Sequence, residues 1–143
     1  MDTYTYSSFV SDTNKLKIQI ENSPIKFDCI NCVTRGGLAL TAWLSQALGI
    51  RSIYTAGGKF EGREFIYSSN MSDDLYGNVL IVSDLCRSGQ IIKKIRDDIL
   101  LIHRVNLAKI ACLHYYPDTS IIRPDFFAGE AFSEFYLKYP WEQ

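Results

Sequence analysis

Residues 78–95 read NVLIVSDLCRSGQIIKKI, and this stretch constrains the fold more than any other part of the chain. A block of Val, Leu and Ile long enough for a strand buried on both faces runs into a polar knot. Isoleucines at 91, 95 and 99 then recur at the spacing of an amphipathic helix. The unit is strand, tight loop, helix. Such a loop opens at the C-terminal edge of a parallel sheet, where the amides of Ser88, Gly89 and Gln90 would face outward at a helix N-terminus. Unpaired N–H groups and the helix dipole stabilise an anion there, so this loop is expected to cradle a phosphate.

The remaining pattern repeats the same alternation. KFDCINCV (26–33) reads as a strand, TRGG (34–37) as a loop, and LALTAWLSQAL (38–48) as a helix closed by Gly49 in the left-handed conformation. RSIYTA (51–56) is the next strand, and LAKIACLHYY (107–116) is another. Between them residues 57–78, rich in Gly, Ser, Asp and Asn, read as a hairpin or lid with a short strand around EFIYS. Residues 10–22 stay open: KLKIQI alternates like a strand, whereas Ser11 and Asp12 would cap a helix. Pro117, Pro124 and Pro140 punctuate an aromatic-rich tail. Strands alternating with helices imply an α/β fold with a mainly parallel sheet flanked by helices, and residues 1–143 are expected to form a single domain.

Composition narrows the function classes. A 16.3 kDa chain with 47% hydrophobic and 22% charged residues supports one buried core, and neither disorder nor a membrane protein is suggested. No apolar run approaches a membrane span, and MDTYTYSSFVSD lacks the basic and apolar regions of a signal peptide, so a cytoplasmic address is expected. A net charge of −1 without a block of Lys or Arg argues against a nucleic-acid face. Cys29 and Cys32 are spaced as CxxC, but no matching ligand pair accompanies them for zinc, and FDCINCV reads as strand interior rather than a redox helix terminus. Small buried strand residues in a reducing compartment is the simpler reading.

In a parallel sheet every strand-to-helix loop opens on one edge, so TRGG and DLCRSGQ should face each other across a crevice. Glycines let backbone amides approach a phosphate, and Arg35 can grip one with two parallel hydrogen bonds. Alone, either loop is as well explained by a plain turn. Two on one edge suggest a ligand with two anionic ends.

These blocks resemble the type I purine phosphoribosyltransferases, which transfer a phosphoribosyl group from 5-phosphoribosyl-1-pyrophosphate to a purine base. VTRGGLALTAWLSQALGI looks like the family's pyrophosphate loop and following helix, and VLIVSDLCRSG like its phosphate-loop signature. The tail HYYPDTSIIRPDFFAG, ending in YLKYPWE, is similar to its small C-terminal base-binding hood. The resemblance implies that Arg35, Gly36 and Gly37 contact pyrophosphate, often through a loop with a cis peptide. It also implies that Arg87, Ser88, Gly89, Gln90 and Ile91 wrap the 5-phosphate. Tyr136 would stack on the purine, with the backbone of Leu137 at its exocyclic edge. Ser83 and Asp84 would address the ribose, and Asp84 the Mg2+ that bridges sugar and pyrophosphate. Lys59 and Arg63 of the lid would reach the pyrophosphate, unless they are simply solvated hairpin charges. A homodimer is the family's usual state.

The sequence departs from that family at residues the chemistry uses. Ser83 replaces the first of two paired acids, leaving Asp84 alone. Arg87 stands where 6-oxopurine enzymes (xanthine, guanine, hypoxanthine) carry a carboxylate near N7, and a guanidinium cannot accept that proton. Ile91 replaces a hydroxyl residue of the phosphate loop, and Tyr116 replaces a lysine that would hold the purine 6-oxo group. Two functions follow: a purine phosphoribosyltransferase of nucleotide salvage, with Asp84 and Arg87 in its catalytic centre, or a catalytically silent relative that binds a nucleotide or the sugar pyrophosphate for regulation.

Overall fold

The computed structural model describes residues 2–132 and 137–142. A short strand β1 (Asp2–Thr3) leads into α1 (Tyr6–Asn22), followed by β2 (Cys29–Val33), α2 (Leu38–Leu48), β3 (Ile53–Glu61), β4 (Glu64–Ser69), β5 (Gly77–Cys86), α3 (Gln90–Leu100), β6 (Val105–Tyr115), β7 (Phe126–Glu130) and β8 (Leu137–Lys138). Strands β4-β3-β2-β5-β6-β7 form one six-stranded sheet, parallel except for the β3–β4 hairpin. Strands β1 and β8 pair in parallel as a separate two-stranded ribbon. The expected α/β architecture is found.

Both faces of the sheet are covered because its central strands carry apolar residues on both sides, with Ile30, Val79–Val82 and Ile110–Leu113 buried throughout. On one face Ile30, Leu80, Val82, Ala111 and Leu113 pack with Phe9, Leu16 and Ile20 of α1 and with Leu40 and Leu44 of α2. On the other, Cys29, Val33, Val79, Ile81, Ile110 and Cys112 pack with Ile92, Ile95 and Ile99 of α3 and with Phe65 and Tyr67 of the hairpin. Cys29 and Cys32 are thus buried residues of β2 on opposite faces, with free thiols that burial pushes up. Within α3 the buried stripe is Ile92, Ile95 and Ile99, and Ile91 is only half-buried.

The structure settles three local points. Residues 10–22 belong to a helix that begins at Tyr6, and its cap is Thr5, whose hydroxyl accepts from the Ser8 amide, rather than Ser11 or Asp12. Residues 57–61 continue β3 instead of starting a loop, because Gly57 and Gly58 pair with the incoming β4. The tail contributes an edge strand, β7, which begins where the Asp125 amide bonds to the Ile110 carbonyl and the Asp125 carboxylate accepts from the Ile110 amide.

Connectivity places the crevice. From β2 the chain crosses through α2 to β3 on one side, and from β5 it crosses through α3 to β6 on the other. The strand order reverses between the neighbours β2 and β5, which is where an open α/β sheet leaves a binding crevice beyond its strand ends.

Candidate functional site

The TRGG loop leaves β2 through a cis peptide between Thr34 and Arg35. It turns at Gly37, the residue preceding α2, whose amide bonds to the Val33 carbonyl at 2.9 Å. Gly37 is buried against β5: a Cβ there would lie 2.5 Å from the Val82 carbonyl oxygen. The second loop leaves β5 at Cys86 and enters α3 through Gly89, held at φ 76°. A left-handed residue at that point requires glycine, since a Cβ would also stand 2.6 Å from Ser120 Oγ. The segment after β6 backs this loop: the Ile121 amide donates to the Ser88 carbonyl at 2.9 Å, and the Thr119 hydroxyl donates to the Arg87 carbonyl at 2.8 Å.

Two cavities meet at these loops. One, of about 220 Å³, is lined by Thr34 and Gly36 from the first loop, Ser83 and Asp84 at the end of β5, and Arg87, Ser88, Gly89 and Ile91 from the second. The other, of about 920 Å³, is bounded by Arg35, Gly36, Leu38, Asp84, Trp141 and Glu142. Gly36 and Asp84 line both, so the two cavities adjoin at this pair, with the Asp84 carboxylate between the two loops.

Asp84 is half-buried, and desolvation pushes its carboxyl above the ordinary carboxylate range. Two donors work against that shift: the Leu85 amide bonds to Oδ1 at 2.8 Å and the Trp141 indole Nε1 bonds to Oδ2 at 3.3 Å. Ser83 is buried, and its hydroxyl donates to the Leu85 carbonyl at 3.3 Å. The Arg87 side chain is exposed, with its guanidinium 5.5 Å from the ring centroid of the buried Tyr116.

Of the residues singled out from the sequence, the structure gathers Arg35, Gly36, Ser83, Asp84, Arg87, Ser88, Gly89 and Ile91 around the two cavities. Gly37 packs behind its wall. Gln90 is exposed on the first turn of α3, with its amide 3.4 Å from Ser88 Oγ. Tyr116 lines neither cavity and lies beneath Arg87. Leu137 is committed to β8, in register with Asp2. Tyr136 lies outside the described residues. Lys59 pairs with Glu61 on the hairpin at 3.6 Å, and neither it nor Arg63 lines either cavity. Sequence reasoning missed Trp141 as a partner of Asp84; the PWE ending is the signal that could have found it.

Among the described residues no cluster of three or more His, Cys, Asp or Glu side chains could hold a metal ion by itself. Asp84 and Glu142 both border the larger cavity. That donor set suits magnesium, which takes one or two protein carboxylates and completes its shell with water and ligand phosphates.

The sheet order, the two loops and the crevice at the strand reversal define the type I phosphoribosyltransferase fold. No family model and no curated protein matches the sequence. Solved structures do match. A purine phosphoribosyltransferase from Pyrococcus horikoshii Ot3 is 24% identical with a TM-score of 0.88, over 99% of this chain and 94% of that one. The Helicobacter pylori xanthine-guanine-hypoxanthine phosphoribosyltransferase is 22% identical with a TM-score of 0.82, over 98% and 92%. A hypothetical protein from Neisseria gonorrhoeae with bound ppGpp is 20% identical with a TM-score of 0.77, over 98% and 88%.

Proposed function

We propose that this protein is a purine phosphoribosyltransferase that carries the phosphoribosyl group of 5-phosphoribosyl-1-pyrophosphate to a purine base and releases pyrophosphate. The observation that supports this most is the pair of cavities adjoining at Gly36 and Asp84, with the Gly36 loop and the Ser88–Gly89 loop on either side of the carboxylate. A ligand with a phosphate at one end and a pyrophosphate at the other fits two amide-rich corners joined by a carboxylate. Ser88 and Gly89 at the start of α3 receive the 5-phosphate, and Arg35 and Gly36 the pyrophosphate.

Departure of pyrophosphate from the anomeric carbon builds positive charge on the ribose, so the chain's task is to hold charge on the leaving group and keep the sugar in place. Arg35 does the first. Asp84 does the second by accepting from the ribose hydroxyls, while Ser83 is occupied with the Leu85 carbonyl. Asp84, with Glu142 beside it, would also hold Mg2+, which when bound neutralises pyrophosphate charge. The guanidinium of Arg87 offers no lone pair to accept a proton from the incoming base, so that proton leaves to water or the base binds as its anion. A cytoplasmic homodimer is the assembly that fits this reading.

A second reading is favoured by the same cation. Arg87 beside the phosphate loop, with the Asp84 carboxylate already engaged by Leu85 and Trp141, suits a silent receptor for a phosphorylated nucleotide. The experiment that separates the two readings is incubation of the purified protein with the sugar pyrophosphate, magnesium and each purine in turn, following nucleotide formation. Turnover of any base establishes the transferase. Tight binding of the sugar pyrophosphate with no turnover establishes the receptor.

A further inference from the structure

The carboxylate at the centre of the site is held by a segment far from it in sequence. Trp141 aims its indole N–H at Asp84 Oδ2, and Tyr139 aims its hydroxyl at the Asp84 carbonyl oxygen at the longer distance of 3.5 Å. The two rings are stacked, with centroids 4.8 Å apart and planes 6° from parallel. Phe9 of α1 meets the indole edge-on at 5.4 Å. The indole is thereby fixed by aromatic contacts from the tail and from α1, and its one polar atom has one direction to point.

Behind Tyr139 the support continues into the core. Its hydroxyl lies 2.8 Å from His114 Nδ1 on β6, and the other His114 nitrogen, Nε2, lies 4.0 Å from Asp12 Oδ2 on α1. Tyr4 closes the cluster: its hydroxyl donates to Asp12, and its ring meets His114 and Tyr139 edge-on. Tyr139 is 1% exposed, far too buried for a surface strap. A buried polar chain ending on the backbone and side chain of one active-site carboxylate is the arrangement that fixes a functional group from its second layer of contacts.

We propose that Trp141 and Tyr139 are positioning residues for Asp84, a C-terminal aromatic latch anchored through His114 and Asp12, which holds the carboxylate toward the ligand. This rests on the reading of Asp84 as the ribose-facing carboxylate, and its test has one arm that needs no turnover. In that arm the indole N–H signals of the two tryptophans, Trp43 and Trp141, are followed by NMR and assigned with Trp141→Phe. The Trp141 signal is expected to move in Asp84→Asn and in Tyr139→Phe while the Trp43 signal stays in place. A Trp141 signal unchanged in Asp84→Asn overturns the latch, whatever the protein catalyses.

The second arm is kinetic. Trp141→Phe keeps the ring stack and deletes the N–H, so kcat is expected to fall about tenfold with the KM for the sugar pyrophosphate within about twofold. In an Asp84→Asn background the same substitution should change kcat by less than about twofold, because the group it positions has been altered. Equal losses in both backgrounds, with a lowered melting temperature, mean that Trp141 serves only the fold and overturn the proposal. If no base is turned over by the parent protein, the transferase reading fails alone, and the NMR arm still decides the latch.

Discussion

A Cβ built on Gly36 would stand 2.5 Å from Oδ2 of Asp84. The turn after β2 and the end of β5 therefore meet at a backbone and a carboxylate, with no side chain between them. The two cavities adjoin at that contact, since Gly36 and Asp84 are the residues that line both.

Gly36→Ala is expected to force either the loop or the Asp84 carboxylate out of position. Pyrophosphate affinity, measured by titration calorimetry, should fall at least about tenfold, the equivalent of ~1.4 kcal/mol. The melting temperature should change little, because Gly36 lies at the cavity rim rather than in the core. Undiminished affinity would show that pyrophosphate does not bind at this loop.

Gly89 and Gly49 form a natural pair for comparison. Both are left-handed, at φ 76° and 68°, so alanine at either position costs ~1–2 kcal/mol of stability through backbone conformation. Around Gly49 a Cβ meets nothing within 4 Å, whereas at Gly89 it meets Ser120 Oγ, which donates to the Ile122 carbonyl at 2.7 Å and cannot swing away freely. A larger loss of stability is therefore expected from Gly89→Ala than from Gly49→Ala, with loss of ribose 5-phosphate binding only for Gly89→Ala. Equal phosphate binding in both would remove the second loop from the site.

The parts of this arrangement legible in the sequence are those set by local pattern. NVLIVSDLCRSGQ carries its strand, its loop and its helix start within a few residues, and TRGG does the same, so the crevice follows once the sheet is parallel. The start of α1 is not legible, because Ser11 and Asp12 are good caps in isolation and KLKIQI alternates like a strand. Tertiary contacts recruit Asp12 to Tyr4 and His114 instead, and Thr5 caps the helix. Trp141 and Asp84 are 57 residues apart, and no periodicity encodes the bond between them. Likewise β7 could not be read from FFAGE, whose strand character comes from pairing with β6.

His114 gives the fold a pH dependence of known sign. Desolvation is the largest effect and holds its imidazole below 6.5; Asp12 opposes this and Lys15 adds to it. The unfolded chain therefore binds the proton more readily than the folded one. The contribution of His114 is complete above about pH 6.5 and is lost as the pH falls toward the folded value. Between about pH 7.5 and about pH 5.5, His114→Gln should lose less stability in urea titrations than the parent protein does. Parallel pH profiles would place the acid sensitivity elsewhere.

Asn31 is the least expected residue of the central sheet. It is fully buried in β2, between Tyr54 of β3 and Ile81 of β5, and among the described residues neither atom of its amide has a hydrogen-bond partner. By strand alternation it shares a face with Cys29 and Val33, inside the apolar layer covered by α3. An unsatisfied buried amide costs ~1–3 kcal/mol, whereas a β-branched apolar side chain of similar size suits a strand buried on both faces. Asn31→Val is therefore expected to raise stability by ~1 kcal/mol and the melting temperature by a few degrees, read by calorimetry. Val33, two residues along, borders the smaller cavity, so phosphate binding is the second quantity to follow. Stability gained with binding unchanged makes Asn31 a dispensable polar residue of the core. A lower melting temperature would instead reveal a partner for the amide, such as a buried water, because only a satisfied amide is costly to replace.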